Sequence, residues 1–325
     1  MTTFKEIRGQ LIRSVSSDPA NPQLGEIWYN NTTGVLKGYV TVASAWASGG
    51  DLNSARNSMG YTGDTDTAFA FGGSGVSALA EQYNGTSWTE VGDLVTARSN
   101  LGGAGTQTAG LGFGGYISGP NRFLNLSEEY NGSSWSEGNN LNTGRDILAG
   151  CGTQTAGLAF GGNTPPATGA TEEYDGTSWT TSPGSLNTAR FRIEGCGIQT
   201  AAVGFSGAPV PSNGNLTEEY DGTSWTAGGN LNTSRESAAA GGIQTSAIAM
   251  GGNITPGPGL VSSAEQYNGT SWTTTASMST ARDNAGGAGA NNTTALVFGG
   301  RAPSSTTATE EFTDAFNAAR TLTTS

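Results

Sequence analysis

Short apolar segments in which large residues alternate with small ones, each ending in paired glycines, recur along the chain. They read Phe69-Ala-Phe71-Gly-Gly, Leu111-Gly-Phe113-Gly-Gly, Leu158-Ala-Phe160-Gly-Gly, Ile248-Ala-Met250-Gly-Gly and Leu296-Val-Phe298-Gly-Gly, with Val203-Gly-Phe205-Ser-Gly207 as the single departure. This alternation predicts strands buried on both faces, one face being tight. Downstream of five of the six lies a Tyr, then Asn-Gly or Asp-Gly, then Trp, as in Tyr83-Asn-Gly-Thr-Ser-Trp88 and Tyr174-Asp-Gly-Thr-Ser-Trp179; after the last, Phe312 takes the tyrosine place with no Asx-Gly or Trp behind it. Asn-Gly and Asp-Gly supply the positive φ angles of a tight hairpin turn, so Tyr and Trp flank a two-strand hairpin. Upstream runs an arginine followed by glycine and alanine, as in Arg98-Ser-Asn-Leu-Gly-Gly-Ala-Gly. Such a segment suits an innermost strand, where only small side chains fit.

The unit therefore has four strands. Trp46, Trp88, Trp135, Trp179, Trp225 and Trp272 are separated by 42, 47, 44, 46 and 47 residues, a period that signals propeller blades. The double glycine, the Tyr and the Trp together resemble the kelch repeat over roughly residues 46–320, which implies an all-β propeller of four-stranded antiparallel blades.

Arginines open the inner strands at Arg56, Arg98, Arg145, Arg190, Arg235, Arg282 and Arg320. Seven starts predict a seven-bladed β-propeller over residues 24–325. Its last blade would join the strand at Arg320 to an N-terminal hairpin, residues 25–29 and 35–40, and to the segment ending at Trp46. The alternative is six blades, with Trp46 completing the sixth and the hairpin outside the ring. Residues 1–23, with Phe4, Ile7, Leu11, Ile12 and Val15, read as an arm that packs on the ring, anchors it to a larger assembly or joins a sister subunit.

Composition then narrows the chemistry. A net charge of −12 argues against nucleic acid and against an anionic membrane surface. The start of the chain reads as neither a leader nor a membrane span, which points to a protein made in a cytoplasm. Histidine is absent, which removes the usual general base and metal ligand. Copper-radical oxidases of the galactose-oxidase type need histidine ligands and are excluded. The adjacent Asp175-Gly176 does not match the spaced aspartate box of sialidases. Cys151 and Cys196 occupy equivalent places in neighbouring repeats and read as small buried thiols. No catalytic residue, metal or cofactor is expected.

Length variation concentrates between the glycine pair and the following Tyr or Phe, a connection that opens on the same face as the arginines. Tyr116, Phe123, Pro165, Pro209 and Pro256, with Pro166, Pro211 and Pro258, lie in these loops and are the candidate ligand contacts. The arginines are expected to ring the channel mouth on that face in a structural role. Each repeat carries an acid before its Tyr or Phe, namely Glu81, Glu128 with Glu129, Glu172 with Glu173, Glu218 with Glu219, Glu265, and Glu310 with Glu311, which stands ready to pair with them. Residues 16–37 resemble segments of bacteriophage virion proteins, particularly those of marine phages. The resemblance implies a non-enzymatic virion protein of tail-fibre, head-fibre or decoration type. Its partners would be other virion proteins through residues 1–23 and a host-surface glycan or receptor. The competing expectation is an intracellular peptide-binding scaffold, and a glycan-acting hydrolase is a minor third.

Overall fold

The computed structural model describes residues 12–119, 122–209, 213–257 and 259–322 and divides into two compact units, Trp46–Thr313 and Met1–Ala45 with Asp314–Ser325. The repeat period organises the larger unit. Among the described residues it holds six four-stranded antiparallel sheets and one two-stranded ribbon. The first sheet runs Gly60–Thr62, Phe69–Phe71, Ala80–Tyr83, Trp88–Val91; the second Gly102–Thr106, Ala109–Phe113, Ser127–Tyr130, Trp135–Glu137; the third Ala149–Thr153, Ala156–Phe160, Thr171–Tyr174, Trp179–Thr181. The fourth runs Glu194–Ile198, Ala201–Phe205, Thr217–Tyr220, Trp225–Ala227, and the fifth Ala239–Ile243, Ser246–Met250, Ala264–Tyr267, Trp272–Thr275. The sixth takes Gly286–Asn291, Thr294–Phe298 and Thr309–Thr313 from the end of the unit and Ala45–Ser48 from its beginning. This is an all-β, propeller-like architecture.

Neighbouring sheets are tied by backbone hydrogen bonds that run in a closed cycle. The Ser58 amide donates to the Asn284 carbonyl, Asn284 to Ser237, Ser237 to Arg192, Arg192 to Ile147, Ile147 to Asn100, and Asn100 back to Ser58, at 2.8–3.2 Å. A second cycle follows the glycine pairs. Gly73 donates to Arg98, Gly115 to Arg145, Gly162 to Arg190, Gly207 to Arg235, Gly252 to Arg282, and Gly300 back to Arg56, at 2.8–3.1 Å.

The strand pairing departs from the seven-bladed expectation. That expectation gave the Trp46 segment to a sheet with the N-terminal hairpin and Arg320; instead it lies beside Thr309–Thr313. The reason is packing. Trp46 takes the outer-strand place that tryptophan holds in the other five sheets, stacks tilted on Phe312 at 5.1 Å and donates to the Ala276 carbonyl at 2.8 Å. Without it the sixth sheet would present a bare edge.

Side chains repeat the same sheet-to-sheet contact. The indole N–H groups of Trp88, Trp179, Trp225 and Trp272 donate to the hydroxyls of Thr309, Ser127, Thr171 and Thr217 on the preceding sheet, at 2.9–3.1 Å. The phenols of Tyr83, Tyr174, Tyr220 and Tyr267 likewise donate to Glu311, Glu129, Glu173 and Glu219.

In the smaller unit the expected hairpin forms as Ile27–Asn30 against Val35–Val42. Arg13–Val15 adds to it in parallel on one side and Phe316–Thr321 antiparallel on the other. Arg320 faces Gly38 on that exposed strand and shares no sheet with the other six arginines, so it does not start an inner strand. Of the arm, residues 1–11 lie outside the described residues. The rest is held by Asp18, which accepts from Trp28, Asn30 and Lys37 at 2.6–3.1 Å, bonds that keep its carboxyl at about 2.

Candidate functional site

Six of the seven arginines singled out in the sequence lie in the larger unit, where each pairs with a glutamate, the structural role expected of them. Arg56, Arg98, Arg145, Arg190, Arg235 and Arg282 are at most 2% exposed and pair with Glu81, Glu128, Glu172, Glu218, Glu265 and Glu310 at 2.6–3.3 Å. Each sits two residues before a member of the first hydrogen-bonded cycle and reaches sideways into its own sheet. Arg145, for example, donates to the carbonyls of Gly161 and Ala170 as well as to Glu172. The glutamates accept further bonds from the preceding loop, as Glu172 does from the amide and side chain of Asn142 at 2.7 and 2.8 Å. Burial lowers Arg98 and Arg190 to about 10, which leaves both charged at neutral pH. Buried charges paired in this way are structural.

Where the repeats agree, the residues are buried scaffold; where they differ, they cluster at one end of the inner strands. The residue after each arginine meets the residue after each glycine pair, giving Asn57 with Ser74, Ser99 with Tyr116, Asp146 with Asn163, Phe191 with Ala208, Glu236 with Asn253 and Asp283 with Arg301. No two pairs are alike. The next positions, Ser58, Asn100, Ile147, Arg192, Ser237 and Asn284, form the first cycle with φ between 50° and 55°. Two of the acids have partners: Asp283 takes Arg301 through two bonds at 2.6 and 3.0 Å, and Glu236 takes Arg192. Asp146, 4% exposed, accepts from the Asn100 amide at 3.4 Å, and burial raises its pKa against the pull of its amide bonds and of the Arg122 charge.

The sequence-selected loop residues lie at this same end. Tyr116 and Phe123 bridge each other in the second sheet's loop, half-buried. Pro165, Pro209 and Pro256 stand exposed on the corresponding loops of the third, fourth and fifth sheets. Pro211 and Pro258 lie outside the described residues.

The residues that sequence reasoning missed are inside. Four residues beyond each arginine stand Gly60, Gly102, Ala149, Glu194, Ala239 and Gly286; five beyond stand Tyr61, Gly103, Gly150, Gly195, Ala240 and Gly287. Tyr61 and Glu194 alone break the small-residue rule, and alignment on the arginines would have exposed them. Tyr61 from the first sheet donates its phenol proton to Glu194 from the fourth, diametrically opposite in the cycle, while the Ala240 amide reaches the phenol oxygen. Tyr61 also meets Phe298 edge-on at 6.3 Å. Burial pushes the Glu194 carboxyl up to about 8 despite the tyrosine bond, and raises Tyr61 well above its ordinary value.

This bridge lies between two cavities, Tyr61 lining both. One of about 50 Å³ is lined by Ser58, Asn100, Ile147, Asn284 and Glu194, the other of about 290 Å³ by the glycine-rich remainder of the inner strands. Cys151 and Cys196 line the larger one, 7% and 8% exposed. Burial pushes Cys151 up to about 12 and Cys196 well above its ordinary value, so both stay as thiols.

No protein-family model and no curated protein matches this chain. Among solved structures, that of YjhT superposes with a TM-score of 0.66 at 14% identity, over 83% of this chain and 96% of that one. At that identity the likeness is one of fold alone.

Proposed function

We propose that the chain is a six-bladed β-propeller serving as a non-enzymatic recognition module of a phage virion, which binds a host-surface glycan or receptor on the face bearing Tyr116, Phe123, Pro165, Pro209 and Pro256. The observation that carries the recognition reading is the contrast within the repeats. Arginine, glutamate and the outer-strand tryptophan recur in every sheet, whereas the six pairs beside the first cycle are all different. A scaffold that repeats itself everywhere except around one opening leaves that opening free to specialise. Its groups are carboxylates, amides and guanidinia beside Tyr116 and Phe191, the set that hydrogen-bonds and stacks on polyhydroxylated ligands. The non-enzymatic reading is supported by how the acids are held: Asp283 and Glu236 are tied to arginines, and Glu194 to Tyr61. The virion assignment rests on the resemblance of residues 16–37, and the six-blade count on the two closed cycles.

Glycan-array and host-cell binding test the reading. Intact protein is expected to bind a restricted set of surface glycans or cells, and shortening loops 116–127 and 253–264 to abolish this with the fold retained. Absence of surface binding by the intact protein, with capture of peptides instead, would overturn it in favour of a scaffold.

A further inference from the structure

A pocket lies above the Tyr61–Glu194 bridge, apart from the variable loops. Its volume of about 50 Å³ leaves room for a few waters or a small ion. Glu194 stands in it as a lone acid. Among the described residues it forms no ion pair; the nearest arginine in sequence, Arg192, is engaged by Glu236. Its hydrogen bond comes from Tyr61 onto Oε2. The other residues lining the pocket are neutral, and Ser58, Asn100 and Asn284 supply polar side chains. The inner strands of the second, third, fifth and sixth sheets present glycine or alanine at this level. The titratable groups around Glu194 are therefore Tyr61 across the channel and Cys151 and Cys196 beyond it.

We propose that this pocket binds one monovalent cation, a potassium ion or a primary ammonium group, held by the Glu194 carboxylate with the polar side chains of Ser58, Asn100 and Asn284. One carboxylate among neutral oxygens matches a single positive charge, and a divalent ion would leave charge uncompensated. A cation also answers the question of why an acid occupies an inner-strand place that alanine fills in the third and fifth sheets. Cation and proton compete for the same carboxylate. Because Glu194 holds its proton up to about pH 8, cation affinity rises about a hundredfold between pH 6 and pH 9 and then levels.

The test is titration of the full chain by calorimetry at constant ionic strength with methylammonium, potassium or tetramethylammonium chloride, at pH 6 and pH 9. Methylammonium or potassium is expected to bind, with the hundredfold pH dependence, and tetramethylammonium to be excluded by size. Binding of potassium identifies an inorganic ion as the occupant; binding of methylammonium alone identifies an ammonium group carried by a larger ligand. Glu194→Gln and Glu194→Ala are both expected to abolish binding, and the second folds because Ala149 and Ala239 occupy the equivalent place. No binding at pH 9, equal binding of tetramethylammonium, or binding that survives in Glu194→Ala overturns the proposal.

Discussion

Replacing Ser206 by glycine is expected to stabilise the ring. Ser206 occupies the place of Gly72, Gly114, Gly161, Gly251 and Gly299, and like them has positive φ, here 63°. A Cβ added at those five glycines would lie 2.5–2.9 Å from the carbonyl oxygen of the next sheet's arginine, so the serine Cβ is forced into a space built for none. The consequences are visible around it. The Ser206 hydroxyl is buried without a partner, and so are all three guanidinium nitrogens of Arg190, which lies 3.2 Å from Glu218. Arg145, Arg235 and Arg282 each donate to the corresponding glycine carbonyl.

Left-handed backbone at a non-glycine residue costs ~1–2 kcal/mol, and an unsatisfied buried hydroxyl ~1–3 kcal/mol. The greater freedom of glycine in the unfolded chain returns ~0.5–1 kcal/mol of this. Ser206→Gly is therefore expected to gain about 2 kcal/mol, which for a unit of this size raises Tm by roughly 4–8 °C. Urea unfolding and calorimetry measure it, with Gly161→Ser as the mirror experiment expected to lose a similar amount. An unchanged or lowered Tm in Ser206→Gly would refute the strain argument and assign the hydroxyl a partner.

Three further outcomes follow from the same geometry. Ala80 stands where Ser127, Thr171, Thr217 and Thr309 receive a tryptophan N–H, and the Trp135 indole nitrogen is orphaned; Ala80→Ser is expected to add ~1 kcal/mol in urea unfolding, and no gain would mean the pair does not form. Arg145→Met strands the Glu172 carboxylate in the interior and is expected to cost ~3–5 kcal/mol, whereas a loss under 1 kcal/mol would show that the pair is dispensable. Glu194 is raised from 4.5 to about 8, so the folded state keeps a proton that the unfolded chain releases. Its contribution is full below about pH 4.5, falls by up to about 1.4 kcal/mol per pH unit as pH rises toward 8, and is then level. Glu194→Gln should flatten that part of the stability curve, and an unchanged pH profile would show the carboxyl to be solvated.

The strands and hairpins were legible because they depend on neighbours in sequence. Alternating large and small residues, Asn-Gly turns and glycine pairs each act within a few residues, and six repetitions removed the ambiguity of any single one. The arginine–glutamate pairing was legible for the same reason, since an arginine and at least one acid recur in every repeat, although which acid of each Glu-Glu pair takes the arginine was not. The mouth of the ring was legible only as a set of loops of unequal length, because what distinguishes it is the comparison of six pairs brought side by side.

Strand partnership was decided in three dimensions. Asn317-Ala-Ala-Arg320 imitates the start of an inner strand, yet Phe316–Thr321 pairs with Val35–Val42 while Ala45–Ser48 fills the edge at Thr309–Thr313. A local pattern specifies a strand but not its partner; the partner is chosen by which edge and which apolar face would otherwise stay open to water, and that depends on the whole set of packed sheets. The same holds for Tyr61 and Glu194. They are 133 residues apart, and neither signals the other along the chain. Only the convergence of the inner strands, which demands small residues everywhere else, brings these two exceptions together across the channel.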